Sequence, residues 1–82
     1  MKFIDVHTGM KGIDQKGLAA AHEADIRLQE TEGVRFIKAW GDPTTGKVFC
    51  LSEGPSKEAV LRVHQRAGHQ THEIYEVPIE VE

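Results

Sequence analysis

The chain begins with hydrophobic and polar residues in alternation over Lys2–His7, and this period of two predicts a half-buried β-strand. After a glycine-containing break, Asp14 is a good N-cap for a helix that extends to about Glu32. Gly33 follows at the position where helices commonly end. The first two predicted elements are therefore a strand and a helix.

The rest of the chain predicts a hairpin, a second helix and a last strand. Val34–Trp40 is rich in branched and aromatic residues, and a run of turn-forming residues separates it from a third strand at Lys47–Ser52. Ser56 is the predicted N-cap of the second helix, and Glu73–Ile79 makes the last strand. The order β-α-β-β-α-β predicts an α+β, ferredoxin-like sandwich in one domain over residues 1–82, with a four-stranded antiparallel sheet and both helices on one face.

The alternation along the strands also predicts which side chains face the helices. We expect Ile4 and Val6 on the first strand, and Phe49 and Leu51 on the third, to point toward them. The open face of the sheet then carries Phe3, Asp5, His7, Val48, Cys50 and Ser52, with Trp40 near them. Because such a face is too apolar to stay in water, we expect a homodimer that forms through the open faces of two sheets.

Composition and charge argue against several classes of protein. The chain has 10 Lys and Arg against 13 Asp and Glu, and its basic residues are scattered, whereas nucleic-acid-binding proteins concentrate them in a patch. No stretch approaches the about 18 apolar residues of a membrane span, and the first residues do not resemble a secretory signal. Cys50 is the only cysteine, so no intrachain disulfide forms. We expect a cytoplasmic protein without a nucleic-acid or membrane partner.

The most unusual feature of the sequence is its five histidines. The predicted topology brings His7, His64, His69 and His72 to one end of the domain, while His22 lies about two turns into the first helix, which starts from that end. We expect His72 to be a surface residue at the start of a strand. Nitrogen-rich sites suit Ni(II) or Cu(II), whereas structural zinc sites use several thiolates. Two or more of these histidines are therefore expected to bind one metal ion.

Several of these candidates also have a structural interpretation. His22 fits a core histidine bonded to Asp25, whereas His7 beside Asp5 on an open sheet face is harder to explain by packing. Cys50 is flanked by core residues, and a strand cysteine in that setting is more often a small hydrophobic residue than a ligand or a nucleophile. The residues alone leave these alternatives open.

Motifs along most of the chain resemble a known family. They are Phe3–His7, His22 with Asp25, Gly33–Val34 leading to Trp40, Val48–Pro55, Val63–His64, Gly68–His69 and Glu73–Val77. On these motifs the chain resembles a family of short bacterial nickel-binding proteins described as a domain of unknown function. The resemblance implies a ferredoxin-like homodimer that binds nickel and has no established catalytic activity. The matching family-type positions are His7, His22, Asp25, Cys50, His64 and His69.

Three kinds of function are compatible with the sequence. We favour a metal-binding protein that buffers, senses or delivers Ni(II), with zinc and copper as alternative metals. Its expected ligands are His7, His22, His64, His69 and Cys50. An enzyme would instead act on a small molecule at a site formed by His7, Asp5 and Cys50, an analogy that rests on fold alone. In a ligand-free protein-interaction module the histidines would be structural.

Overall fold

The computed structural model describes all 82 residues. The elements are β1 (Lys2–His7), α1 (Gln15–Leu28) continued by a short 3₁₀ turn (Gln29–Glu32), β2 (Arg35–Asp42), β3 (Lys47–Glu53), α2 (Lys57–Arg66) and β4 (Glu73–Glu76). The strands are antiparallel in the order β2-β3-β1-β4, and both helices pack on one face of the sheet. This arrangement confirms the predicted α+β, ferredoxin-like fold.

Local signals determine where the helices begin and where α1 ends. The Asp14 side chain accepts a hydrogen bond from the backbone N–H of Gly17 at 2.8 Å, which caps α1. Ser56 caps α2 in the same way, through the N–H of Ala59. Gly33 adopts the left-handed conformation after the 3₁₀ turn, where a side chain would cost energy. Neither helix is long and apolar enough to cross a membrane.

The predicted side-chain orientation of β1 and β3 is wrong. Phe3 and Asp5 are both 0% exposed beneath the helices, and Cys50 is buried on the same side. Each strand carries apolar residues on both of its faces, so alternation alone does not decide which face is buried. The helices decide it, because Val60 and Val63 of α2 pack against the ring of Phe3. Because of this orientation, Asp5 lies inside the protein rather than on the open face.

The hydrophobic core fills only part of the layer between the sheet and the helices. It consists of Phe3, Val34, Phe36, Ala59, Val60 and Val63, with Ile26, Leu28 and Ile74 packed around it. Farther along β1, the buried side chains on the side that faces the helices are polar: Asp5 and His7. A chain of this size buries little apolar surface, so placing polar groups there requires that they be well paired.

The open face of the sheet carries a row of apolar side chains across the strands. Val6 is opposite Phe49, which in turn is opposite Trp40. Trp40 is 46% exposed and Tyr75, next to Ile4 on the same face, is 52% exposed. The open face is therefore apolar, as predicted, but its residues differ from those expected because the orientation of β1 and β3 is reversed.

Candidate metal centre

Six polar side chains from five parts of the chain converge between the sheet and the helices. They are Asp5 and His7 of β1, Cys50 of β3, Asp25 of α1, His64 of α2 and His69 in the turn after α2. Strand β1 lies in the middle of the sheet, between β3 and β4, so its residues are covered by both helices. The result is a cluster of donors with little contact with solvent.

His64 occupies the centre of this cluster and is completely buried. Its Nδ1 lies 3.0 Å from Asp25 Oδ1 and its Nε2 lies 2.9 Å from Asp5 Oδ2. Burial by itself lowers the pKa of His64, but the hydrogen bonds with Asp25 and Asp5 outweigh it and raise the pKa to about 9. Since both ring nitrogens face carboxylates, we describe His64 in the metal-free protein as an imidazolium that donates from both.

Asp5 is ionised and makes an unusual contact with His7. Burial raises the pKa of this carboxyl, but the hydrogen bond from His64 is the largest of the effects that lower it, and the net result is a pKa below its ordinary value. Asp5 Oδ1 lies 2.7 Å from His7 Nε2, yet the two atoms do not form a hydrogen bond. Both are therefore buried polar atoms without a hydrogen-bond partner.

The other ring nitrogen of His7 explains why this contact is unfavourable. His7 Nδ1 lies 2.8 Å from the carbonyl oxygen of Gln70, which can only accept, so Nδ1 carries the hydrogen. In a neutral ring, Nε2 then presents a lone pair to the anionic Oδ1 of Asp5. Two acceptors at this distance repel each other unless a proton or a cation lies between or beside them. This pair is the clearest sign that the cluster can bind a cation.

Asp25 joins His64 to a further histidine. Its Oδ1 accepts from His64 Nδ1 and from His69 Nδ1, the latter at 3.2 Å. His69 keeps about a quarter of its side chain exposed, and its Nε2 has no protein partner. Asp25 therefore orients two imidazole rings at once, in the way that carboxylates commonly orient metal-binding histidines.

Donor atoms of these residues form two overlapping groups. Within each group the atoms lie within 4.8 Å of one another, and His64 belongs to both. The first, buried group is Asp5, His7, Cys50 and His64. The second is Asp25, His64 and His69. The structure thus brings together four of the five predicted ligands, divided between two groups.

Cys50 is present in the first group as a thiol. Burial raises its pKa well above the ordinary value, and the charges of Asp5 and Asp25 raise it further. Because the thiolate is the nucleophilic form, this environment argues against the enzyme hypothesis in which Cys50 attacks a substrate. A metal ion would have to displace the thiol proton in order to use Cys50 as a ligand.

The remaining histidines lie outside both groups. His22 lines the neighbouring cavity, and its Nδ1 is buried without a hydrogen-bond partner. His72 is exposed, as predicted, and its ring contacts Thr8 through both nitrogens. The hydrogen bond expected between His22 and Asp25 is not formed, because Asp25 is engaged by His64 and His69 instead.

The two aspartates are central to the cluster, although neither is among the metal ligands predicted from the sequence. Asp5 lies between Phe3 and His7 on the side of β1 that the helices cover. Asp25 falls on the apolar stripe of α1 rather than on its solvent face. An acid at a core position of a helix or strand must find a partner. The sequence pattern of α1 alone places Asp25 at a core position, whereas the core position of Asp5 depends on the orientation of β1.

A cavity of about 210 Å³ adjoins the cluster. Its polar wall contains His7, His22, Asp25, Cys50, His69, Gln70, Thr8 and His72, and its apolar wall contains Met10, Leu18, Ala21, Ala39 and Val48. Asp5 and His64 do not reach this cavity and lie behind its polar wall. The cavity therefore provides a path by which an ion from solvent can reach the cluster.

The fold and the site together define a small α+β protein with a buried donor set of the kind that binds transition metals. A family model described as nickel responsive protein SCO4226-like matches residues 3–77, and the chain belongs to this family. This confirms the family that the motifs suggested.

One solved structure shows how close the similarity is. The chain is similar to SCO4226 from Streptomyces coelicolor A3(2), whose crystal structure aligns with a TM-score of 0.96 at 53% sequence identity. The alignment covers 99% of this chain and 100% of the other. A comparison with curated proteins found no match.

Proposed function

We propose that this protein binds Ni(II) through the buried group Asp5, His7, Cys50 and His64, and that it buffers, senses or delivers the ion. The family description, nickel responsive protein, supports the choice of metal. Zinc and copper are the alternatives, since imidazole also binds both of them.

The observation that carries this proposal is the contact between His7 Nε2 and Asp5 Oδ1. Two acceptors 2.7 Å apart, buried and without a hydrogen bond between them, repel each other, and a positive charge within reach of both lone pairs removes this repulsion. An imidazole nitrogen and a carboxylate oxygen are both ligands for divalent nickel. Bound nickel would supply that charge and would use both lone pairs.

His64 and His69 would have different parts in such a site. His64 must release its proton before it can offer a nitrogen to a metal, so its binding is coupled to proton release. His69 contacts Asp25 and thereby helps to hold His64 in place, a supporting contact of the kind that affects metal affinity. His22 on the cavity wall remains a predicted ligand that would need to move toward the cluster.

Nickel titration of the metal-free protein tests the proposal. We expect His7→Ala to weaken Ni(II) binding by about tenfold or more, measured by isothermal titration calorimetry. The matched control is His72→Ala, which removes an exposed histidine outside both groups. An unchanged affinity in His7→Ala, or an equal loss in His72→Ala, would place the nickel site elsewhere.

The role of Cys50 is tested separately by absorption spectroscopy. If its thiolate binds Ni(II), the nickel-loaded protein has a sulfur-to-metal charge-transfer band that disappears in Cys50→Ser. Serine is close to cysteine in size, so the buried packing is largely kept. A spectrum that is identical in the two proteins would leave only nitrogen and oxygen ligands.

We also propose that two copies associate through the open sheet face. The support is the apolar row that contains Trp40 and the partly exposed Phe49, together with Tyr75 on the other outer strand. Exposed aromatic side chains on one face are typical of protein interfaces. Sheet-to-sheet packing would cover this face and leave the cavity, on the helix side, unobstructed.

A further inference from the structure

We propose that the cavity beside the cluster is a binding pocket for a phenol, a small neutral molecule with one aromatic ring and one hydroxyl group. The pocket adjoins the proposed nickel site, and His7 and Cys50 belong to both, but its proposed polar anchor is His69 and its other wall is apolar. Binding is expected in the absence of metal.

The size of the cavity sets the size of the ligand. An engineered apolar cavity of about 150 Å³ in another protein holds benzene. The cavity here, at about 210 Å³, is large enough for a single ring with a hydroxyl. The apolar wall is formed by Leu18 and Ala21 of α1 and by Ala39 and Val48 of the sheet. A flat ring fits between a helix and a sheet lined in this way.

The polar wall determines which functional group the ligand carries. His69 donates from Nδ1 to Asp25, and this contact places the hydrogen on Nδ1 and the lone pair on Nε2. Nε2 has no protein partner, so it can accept a hydrogen bond from a ligand. A hydroxyl group supplies one, whereas a ketone or an ether does not.

The charge behind the polar wall excludes anions. The carboxylates of Asp5 and Asp25 between them carry one more charge than the imidazolium of His64 neutralises. A carboxylate ligand would add a third negative charge at the edge of a poorly solvated cluster, which is unfavourable. A phenol is neutral at pH 7 and can still donate a hydrogen bond.

The experiment uses metal-free protein in the presence of a chelator, so that its outcome is independent of nickel binding. Phenol, toluene and benzoate are titrated into ¹⁵N-labelled protein and followed by NMR chemical shifts. We expect phenol to bind one to one and to shift the resonances of Leu18, Ala21 and His69. Benzoate is expected to produce no saturable shift at these positions.

Two pairs of variants locate the pocket and its anchor. Ala21→Leu fills the cavity and should weaken phenol binding by about tenfold or more, whereas Ala20→Leu, the same change on the exposed side of α1, should not. His69→Phe should lower the affinity for phenol relative to that for toluene by about fivefold, since only phenol loses a hydrogen bond.

Three results would overturn the proposal. They are an unchanged phenol affinity in Ala21→Leu, an unchanged phenol-to-toluene ratio in His69→Phe, and phenol-induced shifts confined to the open face around Trp40. The last measurement is made on the wild-type protein, so it decides the question even if a variant does not fold. All three phenol-binding results can be interpreted even if the protein does not bind nickel.

Discussion

The imidazolium of His64 should make the stability of the metal-free protein depend on pH. The ordinary pKa of a histidine, 6.5, applies to the unfolded chain, and contacts with Asp25 and Asp5 raise the folded value to about 9. A pKa that is raised on folding gives stability that is fully present below the unfolded value. That stability is lost as the pH rises toward the folded value.

The size of the effect follows from the difference between the two pKa values. Each unit corresponds to about 1.4 kcal/mol. Between about pH 6 and about pH 8.5 the free energy of unfolding should therefore fall by roughly 2 kcal/mol. The pH range ends at about 8.5 because the ordinary pKa of a thiol is 9.0. Above that pH, the buried thiol of Cys50 would lower the free energy of unfolding further. Asp5 does not interfere, because its lowered pKa gives stability that is already complete above 3.8.

The variant Asp25→Asn tests this prediction. Its free energy of unfolding is measured by urea unfolding with a chelator present. An amide can still accept from His64 Nδ1, but it removes one of the two charges that raise the pKa. The fall in stability across the pH window should therefore shrink to about half of the wild-type value, that is to roughly 1 kcal/mol. Glu30→Gln, which removes an exposed carboxylate nearby in the chain, should leave the wild-type fall intact.

A wild-type protein whose stability is constant or rises between these pH values would contradict the role assigned to His64. An Asp25→Asn variant that lost as much stability across the window as the wild type would contradict it too, since His64 would then not be the group that titrates.

Two further predictions concern the hairpin and the open face. Gly46 has a φ of +77° and a methyl group there would lie 2.7 Å from the backbone nitrogen of Lys11, whereas Gly12 has a φ of +80° and open space around it. Gly46→Ala should therefore lower the free energy of unfolding by roughly 2 kcal/mol more than Gly12→Ala, and equal losses in urea unfolding would contradict this. Trp40→Glu places a charge in the exposed apolar row and should convert a dimer to a monomer in sedimentation velocity. A wild-type protein that sediments as a monomer would contradict the proposed dimer.

The order and approximate limits of the elements were predictable because each depends on nearby residues. Asp14 and Ser56 start the helices through hydrogen bonds to N–H groups three residues away. The last strand ends at Glu76 rather than at Ile79, since Pro78 has no N–H for the ladder. Such signals do not require knowledge of the tertiary structure.

The orientation of β1 could not be predicted in the same way. Phe3 on one face and Ile4 on the other are both apolar, so the buried face is chosen by packing against α2, which is distant in sequence. This one choice moves Asp5 and His7 from the open face to the interior. The number of histidines indicated a cluster, but the pairing of His64 with two aspartates depends on that orientation.

The charge of the buried network favours a metal site over a purely structural role. With His64 protonated, the charges of Asp5, Asp25 and His64 sum to one negative charge in a region that solvent barely reaches. An uncompensated buried charge is costly, and a network kept only for packing has no reason to retain it. Exchange of the His64 proton for a divalent cation brings the sum to zero as long as Cys50 remains a thiol. The same exchange uses the opposed lone pairs of His7 and Asp5, so one ion resolves both features of the metal-free cluster.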